Sequence, residues 1–238
     1  MKYNKLKKQH SFLDYAVHDI RALVHSVYYK SECLKEDWDK IDEIELRGYI
    51  CSISNASERL KVFTDELLNL SKFKNGKIVL NLRAIDLLSL IREVINQYKD
   101  LDLFNHSLEI SFKEPNFNGA IIYADSIRLK QVLMNLLSNA NKFSEKGLII
   151  ATLDKINYEN KPFWHFSLID QGKGIDEDKL KEIFKPFVQS NGGHINGSGL
   201  GLAICKEIIT AHQGMIWAEN NLEQGARLNF ILPILQFV

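Results

Sequence analysis

Asn135, Asn139 and Lys142 follow one another at steps of four and three within residues 131–143 (QVLMNLLSNANKF). A helix here puts all three on one face. Leu129, Val132, Leu133, Leu136, Ala140 and Phe143 supply the opposing apolar face. Asparagine is a poor residue for a helix interior, yet Asn135, Asn139 and Asn141 crowd this stretch. Amide oxygens can complete a Mg²⁺ shell beside phosphate oxygens, while a nearby lysine neutralises the phosphates. A polar surface stripe is the plainer alternative. A second cluster, residues 168–175 (LIDQGKGI), sets Asp170 at the end of an apolar run, followed by Gly172 and Gly174. Glycines let backbone approach a ligand closely, and a carboxylate there can accept from an exocyclic amine such as that of adenine. An ordinary strand-to-turn exit would read the same way. In the third cluster, residues 197–204 (GSGLGLAI), Gly197, Gly199 and Gly201 alternate directly before an amphipathic helical pattern. Amides at a glycine-rich helix start make an anion site suited to phosphates. The spacing is not the six-residue dinucleotide pattern, which disfavours a nicotinamide cofactor. Between the last two clusters, residues 188–198 (VQSNGGHINGS) follow the apolar IFKPF segment and read as a lid, or as a plain mobile loop.

These clusters need a frame. Strand-like runs fall at 78–82, 108–112, 120–123, 148–153, 163–169, 215–218 and 227–232, with helical patterns at about 86–99, 126–143, 178–183 and 200–212. Strands mixed with helices, closing on a hairpin-like pair, predict a sheet covered by helices on one face. The first 75 residues lack proline and carry two stripes of alternating three and four steps. One runs through Tyr3, Leu6, His10, Leu13, Val17, Ile20, Val24 and Val27. The other runs through Leu46, Tyr49, Ile53, Ala56, Leu60, Phe63, Leu67 and Leu70. That spacing is a coiled-coil or bundle seam. Two narrow stripes bury poorly alone, so pairing with a second copy into a four-helix bundle is the expected solution. The charged stretch 31–45 (SECLKEDWDKIDEIE) reads as a solvated hairpin connection, or as one that is helical in part. The expected class is therefore α+β: a dimerising helical hairpin over 1–75, then an α/β sandwich over 76–238.

Composition narrows the function. Thirty Lys+Arg balance thirty Asp+Glu across 238 residues, so bulk charge gives no reason to expect nucleic acid as a partner. Cys33, Cys51 and Cys205 are odd in number and widely spaced, against a disulfide framework or zinc site and in keeping with a cytoplasmic location. No run approaches 18 apolar residues, so no membrane contact is expected of this chain itself. Lys2, Lys5, Lys7 and Lys8 fall off the seam as a solvated face, or as a stub just inside a membrane if the chain is the inner part of a longer, membrane-attached receptor.

The order of the three clusters resembles the histidine kinases of two-component signalling, whose ATP-binding domain is shared with gyrase-type and mismatch-repair ATPases. The resemblance places the family's N box on Asn135, Asn139 and Lys142, its first glycine box on Asp170, Gly172 and Gly174, and its phenylalanine box on Phe184 and Phe187. The second glycine box falls on Gly197, Gly199, Leu200 and Gly201. It implies ATP and Mg²⁺ as cofactors, with Asn139 holding the metal, Asp170 reading adenine and Phe143 near the adenine ring. Residues 12–24 (FLDYAVHDIRALV) resemble the phosphoacceptor box, which makes His18 the acceptor and Asp19 its neighbouring acid. The implied partners are a second copy of the chain and the receiver domain of a response regulator.

Periodicity bears on the acceptor. His18 follows seam residue Val17 and so projects away from the helix contact, whereas His10 lies on the seam. His25 shares the face of His18 but is followed by Ser26 rather than an acid. One departure stands out. Where the family usually has Thr or Asn and then Pro, this chain has Ala22 and Leu23. Alanine cannot hold a hydrolytic water through its side chain, so phosphatase activity towards the partner is expected to be weak. The missing proline also predicts a straighter first helix. Two other readings stay open at this point. One is an ATP-binding scaffold that never phosphorylates. The other is a gyrase-type ATPase, against which Gln131 and Asn135 stand where a water-activating glutamate is needed.

Overall fold

The computed structural model describes residues 2–38, 40–74, 79–101, 107–117, 119–144, 146–188, 199–221 and 224–234. Within the first two helices it describes the side chains of residue 17 and of residues 20–68. Two long helices, α1 (Lys2–Glu36) and α2 (Glu43–Lys74), come first. α1 runs unbroken through Ala22 and Leu23. Both ends of the charged stretch 31–45 are helical, within the sequence expectation, and the turn around Asp37 to Asp42 lies between them. Asp42 closes that turn by accepting from the Glu45 amide at 2.8 Å. On α2 the expected stripe is the more buried one, with Ala56 and Phe63 buried and Leu46, Tyr49, Ile53, Leu60 and Leu67 half-buried. On α1, seam residues Val17 and Val24 remain about half exposed, at 49% and 47%.

The rest is a two-layer α/β unit. β1 (Arg83–Asp86) and β3 (Ile121–Ala124) form an antiparallel ribbon. β2 (Leu108–Lys113), β4 (Gly147–Tyr158), β5 (Lys161–Ile169), β6 (Met215–Asn220) and β7 (Ala226–Pro233) make a five-stranded mixed sheet in the order β2-β4-β5-β7-β6. The β2–β4 pair is parallel and the rest are antiparallel. α3 (Leu87–Lys99), α4 (Ser126–Phe143) and α5 (Gly201–Ala211) supply the helical layer. Trp164, Phe166 and Leu168 of β5 lie across from Leu232, Phe230 and Leu228 of β7, and this apolar set joins the buried faces of the three helices in one core. Alternate residues face the other way. There Asn229, fully buried, meets His165 Nε2 at 3.0 Å and donates to Glu219 at 3.2 Å.

Asp86 shows why the chain folds this way locally. Its side chain caps α3 by accepting from the Leu88 amide at 3.2 Å, and also takes the Ala120 amide at 2.6 Å, just ahead of β3. Burial alone would raise this carboxyl; bonds from the Ser89 hydroxyl and the Ala120 and Leu88 amides outweigh it and hold it below the usual range.

Two local expectations are corrected. The apolar run at 78–82 is not a strand where it is described: Val79 is 91% exposed and pairing starts at Arg83. The Asn81 amide bonds the Asp125 carboxylate at 3.1 Å instead of a ladder partner. The helix expected at 178–183 is a chain of turns, in which the Lys179, Glu182 and Lys185 amides reach back three residues and those of Leu180 and Ile183 reach back four. Pro186 has no amide to continue a helix and biases Lys185 away from helical backbone.

Candidate functional site

α4 is the spine of the site. Leu129, Val132, Leu133, Leu136, Leu137 and Ala140 bury its inner face. Phe143, expected there too, is half-buried, as are Asn135 and Asn139, while Lys142 is exposed. Asn135 Nδ2 donates to the Gly201 carbonyl at 3.5 Å, and a Cβ on Gly201 would come within 3.4 Å of Asn135 Oδ1. The N-terminus of α5 therefore abuts the first asparagine. Its cap, Leu200, is fully buried and offers no side-chain acceptor, which leaves the first amides of α5 without a side-chain cap.

At the far end of α4, a Cβ on Gly172 would stand 2.5 Å from the Phe143 carbonyl, so only glycine lets this loop lie so close. The two contacts are separated by about 12 Å of helix, at 1.5 Å per residue. Asn139 lies midway between them. Its amide makes no hydrogen bond among the described residues.

Asp170 is buried behind that loop. Its Oδ1 accepts from the Gly172 amide at 2.8 Å and from the Ala226 amide at 3.2 Å. No hydrogen bond occupies Oδ2 among the described residues. Burial raises the carboxyl above its ordinary range, partly offset by these two amides. Residues that the sequence reading did not single out complete the seat. A Cβ on Gly225 would overlap the Asp170 carbonyl. Asn220 takes the Ile175 amide at 2.8 Å and returns a bond to the Ile175 carbonyl at 2.7 Å, beside Gly174 with its φ of +76°. Gln171 accepts from the Leu148 amide at 2.9 Å at the start of β4. An Asn or a Gly in a turn is too common a signal for these to have been found by spacing.

Lys142 and Lys173 place their ammonium groups 5.2 and 5.8 Å from the Phe143 ring centroid, so the rim of the site is positive. Partial burial lowers the Lys142 pKa, and the charge of Arg59 on α2 adds to this. Phe184 is buried in the core, whereas Phe187 is half-buried, with its ring 6.4 Å from that of Phe63 on α2. Phe187 adopts φ of +63° and donates its amide to the Gly199 carbonyl at 2.9 Å. That bond joins the two ends of the glycine-rich segment. Gly197 and all of the candidate lid 188–198 except Val188 lie outside the described residues, as do the side chains of His10, His18 and Asp19. His25 is exposed, and its ring stacks near Tyr29 at 6.3 Å. Cys205 is fully buried, which pushes its thiol up to about 12 and leaves it no thiolate chemistry.

Among the described residues no group of three or more His, Cys, Asp or Glu could hold a metal. A divalent ion here would have to share ligand oxygens with an amide, and the unengaged amide of Asn139 fits that role. No described helix is long and apolar enough to cross a membrane.

Comparison with known proteins places this sheet unit in a family. Residues 124–236 match the family described as histidine kinase-, DNA gyrase B- and HSP90-like ATPase. The chain is 34% identical to sensor protein KdpD of Clostridium acetobutylicum over 223 residues, which is 91% of this chain and 24% of that protein. It thus spans about a quarter of that relative's length. Among solved structures, the catalytic domain of histidine kinase ThkA is 33% identical, with a TM-score of 0.54 over 64% of this chain and 95% of that one. ThkA in complex with response regulator protein TrrA aligns with a TM-score of 0.74 at 27% identity, covering 98% of this chain and 64% of that one.

Proposed function

This chain belongs to the histidine kinases, and from that premise we propose that it transfers the γ-phosphoryl group of ATP to its own His18 and then to an aspartate of a response regulator. The observation that carries this reading is the seat of Asp170. One carboxylate oxygen is held by two backbone amides and the other has no hydrogen bond among the described residues, behind a glycine loop pressed against the end of α4. An exocyclic amine is the partner such an acceptor suits, and the uncapped start of α5 suits phosphates.

In the proposed reaction a His18 ring nitrogen attacks the γ-phosphorus in line. The P–O bond to the β-phosphate breaks, ADP leaves with the electron pair, and the phosphoryl group becomes N-linked. Asp19 orients the ring and holds the proton of its other nitrogen. Lys142 and the α5 amides take up charge on the phosphates. Mg²⁺, held by the Asn139 amide oxygen and the nucleotide, would offset the remaining phosphate charge. The aspartate of the partner then displaces the phosphoryl group from nitrogen. ThkA was crystallised with a response regulator, which supports a partner of that class here. The half-exposed seam residues Val17 and Val24 suit a hairpin that completes a four-helix bundle with a second copy. Ala22 offers no side-chain hydrogen bond to a water, so removal of phosphate from the partner should be slow.

The test follows label from γ-labelled ATP and Mg²⁺ into wild-type, His18→Gln and His25→Gln chains. Acid-labile, alkali-stable label lost in His18→Gln and retained in His25→Gln is expected. Loss in His25→Gln alone would move the acceptor. ATP binding without label on any chain would sink the kinase reading in favour of a scaffold.

A further inference from the structure

His212 caps the C-terminus of α5 on the side away from the glycine boxes, and nothing in the proposed chemistry uses it. It is buried, and both ring nitrogens are engaged. The Asp125 amide donates to Nε2 at 3.0 Å, so Nε2 is an acceptor and carries no proton. Nδ1 then bears the hydrogen and donates to the Ile208 carbonyl at 2.8 Å. Only this neutral tautomer satisfies both bonds. Asp125 is the N-cap of α4: its Oδ1 accepts from the Ile127 and Arg128 amides and its Oδ2 from Asn81. One imidazole therefore joins the start of the helix carrying Asn135, Asn139 and Lys142 to the end of the helix that begins at Gly201.

Among the described residues, polar contacts bridge α4 and α5 at the nucleotide end, midway and at the far end, and they differ in quality. At the nucleotide end, Asn135 to Gly201 spans 3.5 Å, the outer limit for a hydrogen bond. Midway, the Cys205 thiol lies 3.9 Å from the Val132 carbonyl, a weak donor at long range. His212 to Asp125, at the far end, is the bridge of ordinary length. The turn beyond it cannot retreat, because a Cβ on Gly214 would overlap the Ile231 carbonyl of β7.

We propose that His212 is a positioning residue for the nucleotide cleft, setting the spacing of α4 and α5 so that the α5 amides and the Asn139–Lys142 face converge on the same phosphates. This rests on the reading of the cleft as a nucleotide site. Asp170, by contrast, is seated by Gly172 and Ala226 and does not depend on the bridge. Adenine recognition should thus survive a change at His212 while phosphate recognition weakens.

Two substitutions separate the ring nitrogens. Gln reaches as far as Nε2 and can accept from the Asp125 amide; Asn reaches only Nδ1 and can still donate to Ile208. Binding of Mg·ATP, Mg·ADP and adenosine to the intact chain is measured by calorimetry, beside the melting temperature. For His212→Asn, ATP and ADP should bind roughly tenfold more weakly, the factor set by losing one buried hydrogen bond. Adenosine should stay within about twofold, and His212→Gln should restore ATP binding. If His212→Asn does not fold, pH decides between wild type and His212→Gln. Among the described residues the charged group acting on the imidazole is the Asp125 carboxylate of α4, and wild type should lose ATP affinity relative to His212→Gln as pH falls through the lowered pKa of this buried imidazole. Equal loss of ATP and adenosine in His212→Asn, or no loss, or parallel pH curves, would overturn the positioning role. A wild type that binds no ATP overturns the nucleotide reading and this inference together.

Discussion

A carboxylate seated by two backbone amides is hard to replace without changing what it recognises. In Asp170→Asn the amide oxygen can keep the bonds from Gly172 and Ala226, but an NH₂ group then meets the incoming amine. We expect ATP and ADP affinity to fall roughly tenfold to a hundredfold with little change in melting temperature, as calorimetry on both nucleotides would read. The same carboxyl titrates above its unfolded value of 3.8. Its contribution to stability is therefore complete below that value and is lost as pH rises through the raised one. Gly172 leaves no room for a Cβ, and Gly225 is more tightly constrained still. Alanine at Gly225 puts a Cβ onto the Asp170 carbonyl and must adopt φ of +89°, so Gly225→Ala should lower stability by more than about 1 kcal/mol in urea titration.

Helices are positioned here through their caps. Asp86 satisfies the Leu88 amide of α3 and the Ala120 amide ahead of β3, so Asp86→Ala orphans both amides as well as removing the acceptor of the Ser89 hydroxyl. The expected loss is about 1–2 kcal/mol at pH 7. Because its carboxyl is held below 3.8, this stability is present above that pH and disappears as pH falls through the lowered value. His212 titrates in the same sense at milder pH. Burial lowers its pKa from 6.5, more than the Ile208 carbonyl and the Asp125 carboxylate restore. The α4–α5 bridge thus contributes fully above about 6.5 and weakens as pH falls towards the lowered value. Urea midpoints of wild type should drop between pH 7.5 and 5.5, while those of His212→Gln should change less.

Among the described residues, one face of α2 meets the sheet unit. Phe63, 4% exposed, meets Phe187 at the root of the glycine-rich segment. Arg59, a turn earlier on that face, acts on Lys142, and Glu66 acts on Cys205. Phe63→Ala should cost the docked arrangement on the order of 3 kcal/mol. Proteolysis in the stretch between α2 and β1 should then speed up, while the melting of the sheet unit stays near that of wild type. An unchanged cleavage rate would show that this ring contact does not hold the two parts together.

Local chemistry was enough to read some of this from residues alone. The bounds of α4 were legible because eighteen residues of apolar periodicity admit one helix face, and the asparagine stripe follows from the same period. The α2 stripe and the closing β6–β7 pair were legible for similar reasons. Tertiary structure decided the rest. An apolar run at 78–82 says nothing about which residues a partner strand will reach, and Asp125 settled that from across the fold. Asn220, Gly225 and His212 acquire their roles by meeting residues 45 to 87 positions away. Such pairings cross the sheet or join helix ends, and a periodicity of 2 or 3.6 carries no record of them.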